Sequence, residues 1–162
     1  MSIKNSLAKG VNVGLFVGLM SGSTPALSER QLFKTVYTLT GECDTLSTPS
    51  VDFTSLCSGL LFRMVYENGR ESFSFPARGQ ALISFSGFPG LNSPVVSSLK
   101  IDHVTIASGP NAATDAQAAT GSCELTIPKP ETFAIKCNAR GKSGAFAASF
   151  VSDGKRPERQ DF

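Results

Sequence analysis

Cys123 and Cys137 constrain this chain more than any other pair of residues. Let 121–127 and 133–139 form an antiparallel hairpin across Pro128 to Thr132, with Cys123 opposite Cys137. Leu125 then faces Ile135, and Ile127 faces Phe133. On the other side Glu124 falls opposite Lys136, and Thr126 opposite Ala134. A single register thus supplies a disulfide, two apolar pairs and one pair of opposite charges. Such cross-strand pairs stabilise a sheet by about 0.2–1 kcal/mol each. A slip of one residue would send every side chain to the wrong face. The chain has 4 cysteines, so the second bridge is Cys43–Cys57 by elimination. Each bridge closes a short loop, which contributes on the order of 2–4 kcal/mol. Zinc is the rival use of four cysteines. It is disfavoured because there is no C-x-x-C spacing and only 1 His. The same lack argues against thiol redox catalysis. No metal or cofactor is expected.

Disulfides imply an oxidising compartment, and the N-terminus reads as the address. Lys4 and Lys9 lead into an apolar run, Val11 to Met20, followed by a small, polar stretch holding Pro25. This is the order of a secretory signal, too short for a membrane span. Two cleavage sites fit: after Ser28, with Ala26 and Ser28 as the small pair, which is preferred, and after Ala26, with Thr24 and Ala26. The expected organisation is a signal peptide over 1–28, a β domain over 29–154 and a charged flexible tail over 155–162. Removing 1–28 leaves equal numbers of basic and acidic residues. A neutral chain without a basic stripe is a poor nucleic-acid binder. There is no N-x-[ST] acceptor in 29–162, which leans towards a bacterial source and a periplasmic or secreted location.

The chain after the signal is rich in turn residues and in Phe, with 15 Gly and 12 Phe overall. Strands are expected at 32–43, in a hairpin over 60–75, and at 80–86, 99–107, 121–127, 133–139 and 145–151. In the 60–75 hairpin a two-residue Asn68-Gly69 turn pairs Phe62 with Phe75 and Met64 with Phe73, turning a Phe/Met face to the core. Gly87-Phe88-Pro89-Gly90 reads as a turn-rich loop running to about 97, and 108–119 as a surface loop. The expected fold is therefore all-β: an antiparallel β-sandwich or small barrel of about eight strands.

No catalytic motif stands out. His103 is the lone histidine, and alternation in a strand would turn Asp102 to the opposite face. There is no G-x-S-x-G elbow and no phosphate-binding glycine motif. Binding is expected at loops, with Phe88, Asn111 and Asp115 as the candidate residues. The expected role is non-enzymatic: binding a protein or other envelope ligand, or a structural part in the cell envelope. The alternatives are a secreted hydrolase using His103 and a surface-fibre subunit. The fibre reading ranks lowest, because 155–159 makes a poor assembly strand.

Overall fold

The computed structural model describes residues 32–93, 96–109 and 114–162. The expected signal segment lies outside them. Eight antiparallel strands follow one another up and down. They are β1 (Phe33–Ser47), β2 (Leu60–Tyr66), β3 (Glu71–Ala77), β4 (Ala81–Asn92), β5 (Val96–Ala107), β6 (Thr114–Lys129), β7 (Thr132–Gly141) and β8 (Gly144–Ser152). Each pairs with the next, and β1 pairs with both β2 and β8. The sheet thus closes on itself, so the architecture is a barrel and not a sandwich. A 3-10 turn, Thr54–Leu56, lies in the β1–β2 connection. Among the described residues no helix is long and apolar enough to cross a membrane.

Closure depends on β1 changing partners along its length. Its first half, from Phe33 to Thr40, pairs with β2, and its second half, from Gly41, pairs with β8. Gly41 sits at the handover. A Cβ there would lie 2.1 Å from the Val151 carbonyl oxygen, so only glycine allows the two backbones to approach this closely.

Inward positions carry the core. Leu39, Leu61, Phe75, Ile83, Phe85, Ile101, Ile135, Phe146 and Phe150 are buried, and Phe75 meets Phe85 edge-on with ring centroids 5.8 Å apart. Outward positions on the same strands include the exposed Lys100, Glu124 and Lys136. This polarity is the reverse of a lipid-facing barrel.

Both disulfides are formed, Cys43–Cys57 and Cys123–Cys137. The β6–β7 register matches the sequence expectation from Cys123 to Thr126. It departs at Ile127, because the ladder shifts and resumes at Lys129 opposite Thr132. The turn is shorter than expected. Pro130 and Glu131 make it, with Glu131 in the left-handed region at φ 62°.

Four other expectations are corrected. In β2–β3, Met64 pairs with Ser72 and Arg63 with Phe73, one residue away from the expected register. The turn has three residues, not two. Gly69 N–H donates to the Tyr66 carbonyl and Tyr66 N–H to the Arg70 carbonyl, with Gly69 at φ 80°. This is a type I turn followed by a glycine bulge. Phe62 and Met64 consequently face outward, and Leu61, Arg63 and Val65 face in.

The Gly87–Gly90 segment is not a loop but part of β4. Pairing with β3 ends at Gly87, so Pro89 sits where β4 has a neighbour on one side only, and its missing N–H breaks no ladder. Likewise 114–119 is strand, templated by β5 from His103 to Ala107. The tail also forms structure: β9 (Glu158–Asp161) pairs with β1 from Thr35 to Thr38. Since β2 occupies the other edge there, β9 resumes the line of β8 after an interruption at 153–157.

Candidate binding site at the barrel mouth

The turns after β2 and β6 mark one end of the barrel, here the upper end. The 48–59 connection marks the other. Up the strands the inward side chains change character. On β1 the order is Leu39, Tyr37, Thr35; on β2, Leu61, Arg63; on β3, Phe75, Phe73, Glu71. The apolar core thus grades into a polar rim at the upper mouth.

Arg63 and Glu71 are diagonal neighbours across β2 and β3, within reach of long side chains. Arg63 Nε donates to Glu71 Oε2 at 2.9 Å, and Nη2 to Oε1 at 3.1 Å. The side chains are 34% and 16% exposed, so this is a half-buried forked pair. Its guanidinium lies 5.7 Å from the centre of the Tyr37 ring, which Arg159 of β9 approaches at 5.8 Å. Arg159 is held by Asp161 at 3.0 Å, and Asp161 accepts from Thr35 Oγ1 at 2.8 Å.

Two cavities open at this end, and both touch Arg63 and Phe73. One, of about 190 Å³, is lined by Tyr37, Leu39, Leu61, Leu125, Phe133, Ile135 and Pro157 besides these two. The other, of about 160 Å³, is lined by Glu71, Pro89, Asn92, Ser97, Ser98 and Leu99 besides the same two. Pro157 belongs to the 153–157 strap, which Asp153 fastens to β1. Asp153 N–H donates to the Thr40 carbonyl and Thr40 Oγ1 donates to Asp153 Oδ2, both at 2.9 Å. Lys155 Nζ, 2.7 Å from Asp153 Oδ2, is the main cause holding that carboxyl down to about 2.

The sequence-predicted binding residues do not meet here. Phe88 is on the outer wall of β4 opposite Lys100. Asp115 is exposed near the lower end of β6, and Asn111 lies outside the described residues. Phe88 instead covers Arg70, whose guanidinium carbon is 4.8 Å from the ring centre. Arg70 forks onto Asp102, with Nη1 to Oδ2 at 2.9 Å and Nη2 to Oδ1, and Nη2 also donates to Ser86 Oγ at 3.2 Å. His103 Nδ1 lies 2.9 Å from Asp102 Oδ1. This corrects the expectation that Asp102 and His103 point apart. The β5–β6 ladder shifts between Ile101 and His103, and such a bulge breaks simple alternation. Hydrogen bonds from Arg70 first, and from His103 second, hold the Asp102 carboxyl below its usual range, against the opposing effect of burial. Among the described residues no group of three or more His, Cys, Asp or Glu is placed to hold a metal ion.

Sequence reasoning missed Arg63, Glu71 and Tyr37. The signal was there in the three-residue turn, which places Arg63 on the inward face. Comparison with family models, curated proteins and solved structures gives no match.

Proposed function

We propose that this chain is an exported, non-enzymatic binding barrel of the periplasm or extracellular space, whose ligand enters the upper mouth. One observation carries the reading: an apolar cavity floored by the core opens beside a forked Arg63–Glu71 pair. Apolar walls with a few convergent polar groups are the usual make-up of a ligand site. Two disulfides fit an oxidising, exported setting.

The chain contains no Trp, which gives a direct test. Phe133→Trp installs a lone indole in the cavity wall, and Phe88→Trp puts one on the outer wall. Titration with n-hexanol should shift the emission of the first saturably and leave the second unchanged. An unresponsive indole at 133, or equal responses at both positions, would rule the mouth out as the site.

The hydrolase alternative gains one specific observation, the Asp102–His103 contact. The hydroxyl directly opposite His103 is that of Ser86, whose Oγ accepts from Arg70 Nη2. His103→Ala in a hydrolase substrate screen discriminates: an activity present in the parent and lost in the variant would replace the binding reading.

A further inference from the structure

We infer that the mouth selects an amphiphile with a short apolar tail and an uncharged, hydrogen-bonding head, such as a polyol or sugar. The inference rests on the mouth being the binding site and names what it takes.

The mouth is divided into two spaces. Arg63 and Phe73 line both cavities. On one side of them the walls are aliphatic and aromatic, including Leu61, Leu125, Phe133 and Ile135. On the other side stand Glu71, Asn92 and Ser97. A ligand spanning both passes from apolar to polar surroundings across a single guanidinium. Together the two spaces reach the lower end of the size range for small-ligand sites, so the tail must be short.

Charge selects the head. Among the described residues the formal charges lining these two cavities are Arg63 and Glu71, and they cancel. An anionic head reaching Arg63 would lie beside the Glu71 carboxylate, which already offsets the guanidinium through two hydrogen bonds, so the head's own charge finds no counter-charge. A cationic head reaching Glu71 would likewise lie beside the Arg63 charge. Uncompensated charge in a partly dry site is strongly unfavourable.

An uncharged head leaves the pair intact and still finds partners. Among the described residues Arg63 Nη1 has no acceptor, and neither the Asn92 amide nor the Ser97 hydroxyl has a hydrogen-bond partner. These groups offer both donors and acceptors. Each Glu71 oxygen also keeps a lone pair for a hydroxyl.

Three probes with one tail separate the heads: octyl glucoside, octanoate and octyltrimethylammonium. Each is titrated below its micelle concentration into the exported, disulfide-intact protein, with backbone amide shifts as the readout. Octyl glucoside should perturb the mouth and bind at least about tenfold more tightly than either charged probe. Leu125→Trp, which fills the apolar cavity, should abolish that binding. Glu71→Gln should raise affinity for octanoate about tenfold or more, because Arg63 then lacks its anion. That gain of binding stands whether or not the bulkier variant folds. A charged probe binding as tightly as octyl glucoside would overturn the head assignment while leaving the mouth as the site. No perturbation of the mouth by any of the three would overturn both.

Discussion

Asp102 shows how one bulge rewrites a site. It takes the Arg70 fork and contacts His103 on the outer wall of β5, a neighbourhood that strict alternation forbids. Arg70 depends on it, since that side chain is only 12% exposed and its Nε is buried with no hydrogen-bond partner among the described residues. Asp102→Asn should therefore lower stability by about 1–2 kcal/mol, a figure kept modest because the Asp102 side chain is 39% exposed. The pH dependence follows from the depressed carboxyl. A carboxylate held below its unfolded value of 3.8 contributes stability that is fully present above that value. The contribution is lost as pH falls through the lower, folded value. Urea unfolding of both proteins should show a gap at pH 6 that closes in acid. A gap of constant size down to pH 2 would mean that charge at Asp102 has no part in it.

At the level of elements, what could be read in the sequence depended on how many signals agreed. The Cys123/Cys137 hairpin was legible because a disulfide, Leu125–Ile135 and Glu124–Lys136 all demand one register. The β2–β3 hairpin carried only the Asn68-Gly69 signal, and that dipeptide serves two-residue and three-residue turns alike. The one-residue error reversed both faces, hiding Arg63 and Glu71 at the mouth. Gly87 to Gly90 misled for a different reason: glycine and proline punctuate loops, yet a strand with one neighbour tolerates both. Two glycines test this account. A Cβ on Gly69 would meet nothing within 4 Å, so Gly69→Ala should cost only the left-handed conformation, about 1 kcal/mol. Gly41→Ala collides with the β8 backbone, and there the cost should exceed about 3 kcal/mol or block folding. Equal urea midpoints for the two variants would contradict the handover of β1 from β2 to β8.

The whole molecule is a closed barrel with attachments, and its parts should fail separately. Cys123 and Cys137 are fully buried, whereas Cys57 is 7% exposed and Cys43 is half-buried beside the lower connection. Exchange requires a thiolate to reach sulfur. Mild reductant under native conditions should thus open Cys43–Cys57 first, read as alkylation confined to those two cysteines by peptide mass. Labelling at 123 and 137 at the same rate would mean that the barrel opens as a unit. At the upper end β9 adds to the edge of β1 that β8 leaves open above Gly41. Its edge is short and its residues are Glu, Arg, Gln and Asp, a composition that discourages edge-to-edge pairing. A chain ending at Arg156 would lose the Thr35–Asp161 bond, Arg159 beside Tyr37, and Pro157 from the cavity wall. It should keep its far-ultraviolet circular dichroism, since no barrel pairing involves β9. Its melting temperature should fall by a few degrees at most, because the lost contacts are largely exposed. Octyl glucoside should bind it more weakly, because one side of the apolar cavity is gone. Unchanged binding would show that the strap and β9 stand apart from the mouth, and global unfolding would show that closure through β1 and β8 needs the β9 extension.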